Sequence, residues 1–165
     1  MPDPGAGRGP LHGMAIERLS NDRDLDEVAE LEARCFTNPW SREMLARELA
    51  QSDVAHVFLL RFPDRRLAGF CSCWIVADEL HVNTLVVDLP YRQRRLGVGL
   101  MASVMEEAAR RGATRATLEV RESNEPARRL YARLGFEVVA RRPRYYSQPV
   151  EDALILWREH LAKPA

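Results

Sequence analysis

The sequence has no long hydrophobic run and no excess charge of either sign. No apolar stretch in its 165 residues approaches the roughly 18 needed to span a bilayer, and residues 1–13 contain no hydrophobic signal core. We therefore expect a cytoplasmic protein with no membrane partner. Lys+Arg and Asp+Glu both total 24, so the molecule has no overall positive field and we expect no direct binding to nucleic acid.

Cysteines are few and poorly spaced for metal binding. Cys35, Cys71 and Cys73 leave one thiol unpaired under any disulfide scheme, and none has a metal-type spacing with histidine. Cys71 and Cys73 lie two apart in an apolar segment, which predicts that both thiols face the core from one side of a strand. We expect no metal site, and no activated cysteine or serine that would form a covalent intermediate.

The length and the 46% hydrophobic content are typical of one globular domain. Residues 1–13 hold three prolines and four glycines and offer almost nothing to bury. We predict a disordered leader over residues 1–13, a single domain over residues 14–160 and a short tail over residues 161–165.

Hydrophobic periodicity predicts a mixed α/β sheet with helices on both faces. The predicted helices cover Asp24–Phe36, a segment capped by Ser41, Gly97–Arg111, and a segment capped by Asn124. The predicted strands are Ala15–Ser20, His56–Phe62, Leu67–Val76, Leu80–Val87, Thr114–Arg121, Phe136–Arg142 and Glu151–Arg158. A loop is predicted over Pro143–Pro149.

A basic, glycine-containing loop, RQRRLGVG (residues 92–99), joins the fourth strand to the third helix. The start of a helix offers free backbone N–H groups and the positive end of the helix dipole, glycines let a ligand approach the backbone, and arginines add charge. Such a loop suits a pyrophosphate. A flexible connection without a ligand is the alternative explanation.

Gly97, Gly99 and Ala102 also match the dinucleotide fingerprint GxGxxG/A, and Glu119 follows about 20 residues later. That fingerprint places its first glycine close to the end of the first strand of its domain. Here the nine residues Asp88–Leu96 intervene, and at least three strands precede the loop. The spacing therefore disfavours a Rossmann domain.

Several further segments accompany the pattern Arg94-x-x-Gly97-x-Gly99. They are NPWS (residues 38–41), LEVRESNEPARRLYARLGF (118–136), RRPRYY (141–146) and EDALIL (151–156). Together these segments resemble the GNAT N-acetyltransferases, and within that superfamily the ribosomal-protein-alanine N-acetyltransferase (RimI) branch. The resemblance covers about residues 15–158. The chain from Val87 to Gly97 is slightly longer than the usual spacing of the family, so the pairing of each arginine with a phosphate stays open.

The resemblance implies a GNAT fold, acetyl-CoA as cosubstrate, and acetyl transfer to the N-terminal alanine of a ribosomal protein in a direct ternary complex. It implies that Glu119 is the general base and that Tyr131 is the general acid that protonates the departing CoA sulfur. It also implies a substrate site that contains Trp40, Glu119, Tyr145 and Tyr146. The expected cofactor-binding residues are Leu85, Val86, Val87, Arg92, Arg94, Arg95, Leu96, Gly97, Val98, Gly99, Asn124 and Tyr131.

Several of these residues also have a purely structural explanation. Tyr131 lies on an apolar helical stripe and would by itself be interpreted as a core aromatic residue. Glu119 would by itself be a solvated or arginine-paired carboxylate on a strand. His56 and His81 lie in strand segments, where we expect a structural role rather than a catalytic one.

The choice of amine sets how strong a base the reaction needs. Deprotonating an α-amino group of pKa about 8 at pH 7 costs about 1.4 kcal/mol, whereas a lysine near 10.4 costs roughly 4.6 kcal/mol. A carboxylate is therefore sufficient for an α-amine.

Two other functions are compatible with the sequence. One is a GNAT enzyme that acetylates a small amine such as a polyamine or an aminoglycoside. The other is a non-catalytic module that binds RNA through its arginine loops, although zero net charge argues against it. A partner protein that shapes the specificity is compatible with each of these functions.

Overall fold

Seven strands form one sheet in the order β1-β2-β3-β4-β5-β7-β6 in the computed structural model, which describes residues 9–50 and 53–161. The strands are β1 (Ala15–Arg18), β2 (Ala55–Arg61), β3 (Leu67–Val76), β4 (Glu79–Val87), β5 (Arg115–Arg121), β6 (Glu137–Ser147) and β7 (Val150–Arg158). The helices are α1 (Asp22–Cys35), α2 (Arg42–Ala50), α3 (Leu96–Arg110) and α4 (Glu125–Arg133). None of the helices within the described ranges is both long and apolar enough to cross a bilayer.

The sheet changes character between β4 and β5, which are parallel, whereas the other neighbouring strands are antiparallel. The parallel ladder joins Glu79–Val82 to Arg115–Leu118 and ends there, although β4 continues to Val87. At that point the register between β3 and β4 also shifts, because Ser72 pairs with Thr84 while Cys73 pairs with Val82. The extra residue, Asn83, forms a β-bulge, which bends a strand locally. β4 therefore separates from β5 beyond Val82.

The two faces of the sheet are covered by different helices. On β2, Phe58 and Leu60 pack in a cluster with α3, while Val57 and Leu59 pack in a second cluster with α1 and α2. This alternation is expected for a strand buried on both faces. The predicted mixed sheet with helices on both faces is confirmed. Cys71 and Cys73 are free thiols and both are buried in the α3 cluster, as the two-residue spacing predicts.

Short polar side chains begin the helices where the sequence predicts caps. The Ser41 hydroxyl oxygen accepts the N–H of Met44 at 3.2 Å, and α2 begins at the next residue, Arg42. The Asn124 side chain accepts the N–H of Ala127 at 3.2 Å at the start of α4. Both bonds satisfy backbone donors that a helix start leaves without an intrahelical partner.

The predicted loop over Pro143–Pro149 is wrong. Strand β6 continues to Ser147, and a short turn then leads directly into β7. A proline is tolerated here because β6 is an edge strand, so one side of its backbone needs no partner in the sheet. The pairing register shifts between Arg142 and Tyr146, and Arg144 has a positive φ of 53°, which absorbs the irregularity.

The part of the predicted leader that the structure describes, residues 9–13, contains turns. The His12 N–H donates to the Gly9 carbonyl and the Met14 N–H donates to the Leu11 carbonyl, so these residues form turns. Leu11 packs against α3, where a Cβ on Gly99 would lie only 2.7 Å from its Cγ. At the other end, the Leu161 N–H donates to the Thr114 carbonyl at 2.7 Å. The rest of the predicted leader and tail, residues 1–8 and 162–165, lies outside the described residues.

A buried arginine joins the first helix to strand β2 of the sheet. The side chain of Arg61 on β2 is 3% exposed, and its guanidinium pairs with Asp24 at 2.7 Å and Glu27 at 3.0 Å, both on α1. It also donates to the carbonyl of Arg65 at 2.9 Å. These contacts fix the start of α1 against the end of β2.

Arg61→Ala is expected to lower the free energy of unfolding by about 3–5 kcal/mol, because it leaves the buried Asp24 carboxylate without its cation. Urea unfolding followed by circular dichroism measures this change. The control is Arg23→Ala on α1, whose side chain is 90% exposed and whose loss should change stability by no more than about 0.5 kcal/mol. Equal losses for the two variants would contradict the structural role of Arg61.

Candidate active site

Two cavities lie where β4 and β5 separate. The larger, which we call the basic groove, has a volume of about 790 Å³ and is bounded by the end of β4, the loop before α3 and α4. The smaller, which we call the acidic cavity, has a volume of about 260 Å³ and is bounded by α1, α2, β4, β5 and the β6–β7 hairpin. Both are lined by residues of β4 next to the Asn83 bulge.

The basic groove collects most of the residues predicted to bind the cofactor. Those that line it are Leu85, Val86, Val87, Arg92, Arg95, Leu96, Gly97, Val98, Asn124 and Tyr131. The prediction missed nine further lining residues, which are Cys35, Phe36, Tyr91, Gln93, Pro126, Ala127, Arg129, Leu130 and Arg133. Arg129 and Arg133 are four apart on α4, so the helical spacing that places both on one face could have indicated them.

Two predicted cofactor residues do not line the groove. Gly99 lies one turn into α3, where its N–H already donates to the Arg95 carbonyl at 3.1 Å and its Cα faces Leu11. The Arg94 guanidinium lies 5.9 Å from the centre of the Tyr91 ring. Gly99 therefore serves helix packing in this structure, and Arg94 stacks on the loop instead of facing the groove.

The loop before α3 presents an uncapped helix start to the basic groove. The residue at the cap position, Arg95, has a left-handed backbone (φ 60°) and makes no side-chain capping bond. The first N–H groups of α3, those of Leu96, Gly97 and Val98, consequently have no acceptor within the helix. Free N–H groups and the helix dipole favour an anion, and Arg92 and Arg95 add positive charge beside them. These residues fit a phosphate group.

The extra length before Gly97 is absorbed by the loop itself. Asp88 caps a single 3₁₀ turn over Leu89–Tyr91, and Gln93 has a left-handed φ of 63°. Nε of Arg92 donates to the Val87 carbonyl at 2.9 Å, which ties the loop back to the end of β4. A Cβ at Gly97 would lie 2.9 Å from a methyl carbon of Leu130 on α4, so a larger residue at the helix start would require the Leu130 side chain to move.

The acidic cavity contains all four residues predicted to bind the substrate: Trp40, Glu119, Tyr145 and Tyr146. Glu32 and Glu48 add two more carboxyl groups to its lining, and no arginine or lysine among the described residues lines it. Glu32 is buried, which raises its pKa, and its Oε1 accepts the Trp40 N–H at 3.3 Å. The cavity therefore favours a positively charged ligand.

Glu119 contacts a histidine that the sequence analysis treats as structural. Nε2 of His81 lies 2.9 Å from Oε2 of Glu119. This hydrogen bond is the main cause that lowers the pKa of Glu119, and burial acts in the opposite direction. The carboxylate is thus ionised at neutral pH and accepts the bond, so His81 donates from Nε2. Parallel pairing of the predicted fourth and fifth strands could have indicated this contact, because His81 pairs with Thr117, two residues before Glu119.

Tyr131 belongs both to the core and to the basic groove. Its side chain is buried and packs edge-on against Phe136 with ring centres 5.5 Å apart. Burial raises the pKa of Tyr131, so the phenol keeps its proton at neutral pH. The structural and catalytic interpretations of this residue are compatible, since its ring packs in the core while it lines the groove.

Tyr146 interacts electrostatically with residues of both cavities. It lines the acidic cavity, and its charged form would interact with both Glu119 and Tyr131. Burial, with a smaller contribution from Tyr145, raises the pKa of Tyr146 to about 12. Arg121 fixes this residue: its guanidinium lies 4.2 Å from the Tyr146 ring centre and donates to the Pro149 carbonyl at 3.0 Å.

The hairpin arginines have partners within the fold. Arg141 pairs with Glu122 at 2.7 Å and with Asp152 at 3.4 Å, and Arg142 lies 5.7 Å from the centre of the Tyr145 ring. No group of three or more His, Cys, Asp or Glu side chains within residues 9–50 and 53–161 is arranged to hold a metal ion.

Comparison with known proteins gives consistent matches. Residues 25–136 match the model of the acetyltransferase (GNAT) family. A Bacillus subtilis (strain 168) protein, provisionally named a ribosomal protein bS18-alanine N-acetyltransferase, is 39% identical over 134 residues, which are 81% of this chain and 88% of that protein. The ribosomal protein bS18-alanine N-acetyltransferase of Salmonella typhimurium is 33% identical over 135 residues, which are 81% of this chain and 89% of that enzyme.

The fold is also similar to a solved structure. The crystal structure of the ribosomal-protein-S18-alanine N-acetyltransferase from Escherichia coli aligns with a TM-score of 0.80 at 30% identity. The alignment covers 92% of this chain and 96% of that one. The likeness thus includes strands and helices on both sides of the β4–β5 gap.

The contact between His81 and Glu119 can be tested without any ligand. His81→Leu removes the hydrogen bond that lowers the pKa of Glu119 and leaves the burial that raises it, so this pKa should rise above its wild-type value. Titration of the glutamate side chains by ¹³C NMR measures the change. The pKa of Glu107, which is lowered by bonds to Arg110 and Arg111, should stay where it is. An unchanged Glu119 titration would contradict the contact.

Proposed function

Since this chain belongs to the acetyltransferase (GNAT) family, we propose that it acetylates the N-terminal α-amine of a protein, with the alanine start of a ribosomal protein as its substrate. Its reaction is an acyl transfer, and acetyl-CoA is its cosubstrate. The observation that carries the proposal is the position of Glu119. It lines the acidic cavity, next to the point where β4 and β5 stop pairing.

The basic groove fits the chemistry of coenzyme A. The uncapped start of α3 and the arginines of the preceding loop suit the pyrophosphate. Asn124 uses its side-chain oxygen for the helix cap, which leaves its amide nitrogen available to the cofactor arm. When bound, acetyl-CoA supplies an activated thioester. Leu85 and Val87 line the groove on β4, and we propose that their backbone groups align the cofactor arm along that strand.

Glu119 and His81 prepare the amine. An α-ammonium of pKa about 8 must lose a proton before it can act as a nucleophile, which costs only about 1.4 kcal/mol at pH 7. We assign Glu119 as the proton acceptor, directly or through one water molecule. His81 donates to Oε2 and so leaves Oε1 of Glu119 for the amine. The lowered pKa of Glu119 keeps it ionised over the whole neutral range, so the amine controls the pH dependence.

Tyr131 supplies the proton for the departing thiolate. Its raised pKa keeps the phenol protonated at neutral pH, so that it carries a proton for the thiolate, whose own pKa is ordinarily about 8.5. No step needs an activated cysteine, since Cys71 and Cys73 are buried and burial, together with their mutual hydrogen bond, raises the pKa of Cys71. The residues therefore support direct transfer in a ternary complex.

The acidic cavity supports a protein N-terminus as the acceptor. Three carboxyl groups, those of Glu32, Glu48 and Glu119, attract an ammonium group, and the volume of about 260 Å³ suits a small first residue. Trp40 and Tyr145 are 41% and 48% exposed at this cavity, so they can contact the following residues of a peptide. The names of the relatives specify ribosomal protein bS18 and alanine.

Both alternatives from the sequence are less well supported. A polyamine would also be attracted by the carboxyl groups, but the relatives act on a protein according to their names. An RNA-binding module would need exposed basic surface, whereas Arg141 is paired with two carboxylates and the cavity beside the hairpin is acidic. Since the proposed substrate is a ribosomal protein, we place the reaction in the cytoplasm.

Glu119→Gln should lower kcat by about 10²-fold, because an amide cannot accept the proton of the amine. Tyr131→Phe should lower kcat by at least about tenfold, because the thiolate then leaves without a proton donor. Thiol release with an alanine-start peptide measures kcat, and calorimetric titration measures acetyl-CoA binding, which both variants should retain. Wild-type kcat in both variants would overturn the two assignments.

The choice of substrate is tested by offering several amines at equal concentration. Thiol release should be at least about 10²-fold faster with an alanine-start peptide than with free lysine or spermidine. An N-acetylated copy of the same peptide is the control and should give no release above hydrolysis. Turnover of spermidine with no turnover of peptide would favour the small-amine enzyme, and the absence of any acetyl-CoA binding would remove the proposal.

A further inference from the structure

His81 has few contacts that could fix its ring. Among the described residues its side chain makes one hydrogen bond, to Glu119, and one ring contact, to Trp74. The two aromatic rings are edge to face, with centres 5.3 Å apart and an angle of 85° between their planes. Trp74 on β3 and His81 on β4 are direct partners in the antiparallel ladder. Side chains of such a pair are close enough to restrict each other's rotamers.

Trp74 is itself fixed from a different part of the fold. Its indole N–H donates to Oε1 of Glu48 on α2. The indole has a single donor, and a carboxylate is a strong acceptor for it. The bond determines which way the indole ring lies, and α2 is joined to α1 by the segment that carries Trp40. Glu48, Trp74 and Glu119 all line the acidic cavity.

We propose that Glu48 and Trp74 are positioning residues that hold the His81 ring so that Nε2 faces Glu119. This inference rests on the proposed function, since it adds two residues to the machinery that prepares the amine. The chain of contacts runs from Glu48 on α2 through Trp74 on β3 and His81 on β4 to Glu119 on β5. Without the indole, the imidazole can rotate about its side-chain bonds, and Glu119 loses its donor for part of the time.

The other charged or titratable groups that face Glu119 have contacts with residues other than Trp74 and Glu48: Arg142 with Tyr145, Tyr146 with Arg121, and Glu32 with Trp40. Arg142 on β6 acts on Glu119 by its charge, and Tyr146 on β6 interacts with it electrostatically. Glu32 on α1 shares the cavity. An effect of Trp74 on the titration of Glu119 therefore reports the His81 contact.

The first test compares pH profiles of kcat/KM for an alanine-start peptide. Trp74→Leu should lower kcat/KM at neutral pH about tenfold and make its fall below the pKa of the amine steeper, because Glu119 without its donor is protonated at a higher pH and adds its own titration to that of the amine. KM for acetyl-CoA should stay within about twofold of the wild-type value. Trp74→Phe keeps a ring against His81 but cannot donate to Glu48, so its loss should be smaller than that of Trp74→Leu.

Glu48 offers a conservative rescue. Glu48→Gln retains an oxygen that accepts the indole N–H and should keep the wild-type kcat and pH profile, with any loss confined to KM for the peptide because one carboxylate is removed. Glu48→Ala should also lower kcat, as Trp74→Phe does. Glu43→Gln, an exposed change in the first turn of the same helix, is the matched control and should leave kcat/KM unchanged. Equal losses of kcat in Glu48→Gln and Glu48→Ala would contradict the role of the bond to Trp74.

A double-mutant cycle distinguishes a positioning role of Trp74 from a role in which its side chain only lines the acidic cavity. If Trp74 acts through His81, then His81→Leu/Trp74→Leu should be no slower than His81→Leu alone. Losses that multiply in the double variant, or a loss confined to KM for the peptide with an unchanged pH profile, would overturn the inference.

A ligand-free measurement keeps the inference separate from the proposed function. The Glu119 titration followed by ¹³C NMR should shift to higher pH in Trp74→Leu and should not shift in Glu43→Gln. An unshifted Glu119 titration in Trp74→Leu would contradict the inference, whichever substrate the enzyme uses. If the wild-type protein releases no thiol with any alanine-start peptide, the proposed function is contradicted. The Glu119 titration result is unaffected by that outcome.

Discussion

The site depends on one irregularity in the sheet, the β-bulge at Asn83. A regular β4 would continue to pair with β5 beyond Val82 and Leu118, and the sheet would be closed at the point where the two cavities now lie. The bulge bends β4 and ends the parallel ladder after four residue pairs. The backbone of β4 beyond the bulge is thereby freed from β5, and residues from both strands face open space. The loop before α3 and the helices α1 and α2 border this opening.

The two sides of the opening carry opposite charges. The basic groove combines an uncapped helix start with loop arginines, and the acidic cavity has three carboxyl groups and no lining cation among the described residues. An anionic cofactor and a cationic amine are therefore attracted from different sides. Between the two sides, the hydrogen bond from His81 keeps Glu119 ionised, and burial keeps Tyr131 protonated. These protonation states are the ones that the proposed roles of Glu119 as proton acceptor and Tyr131 as proton donor require at the same pH.

Local sequence patterns were sufficient for most of the fold, because the periodicity of buried residues and the caps at Ser41 and Asn124 act over a few neighbouring residues. The β6 extension was missed because Pro143 normally interrupts a strand, and only its position at a sheet edge makes it acceptable. The turns at residues 9–13 place Leu11 against the distant Gly99, a contact that no local pattern indicates. Motif resemblance selected Glu119 and Tyr131 as candidates, but the partner of Glu119 follows from strand pairing, which no short segment displays.

A crystal structure with a conjugate that links coenzyme A through an acetyl bridge to the amine of an alanine-start peptide would test the central claim most directly. The account predicts that the pyrophosphate lies at the N–H groups of Leu96–Val98, that the peptide occupies the acidic cavity, and that the bridge crosses the β4–β5 gap between Glu119 and Tyr131. A peptide that leaves along another surface, or phosphates bound away from the start of α3, would contradict it.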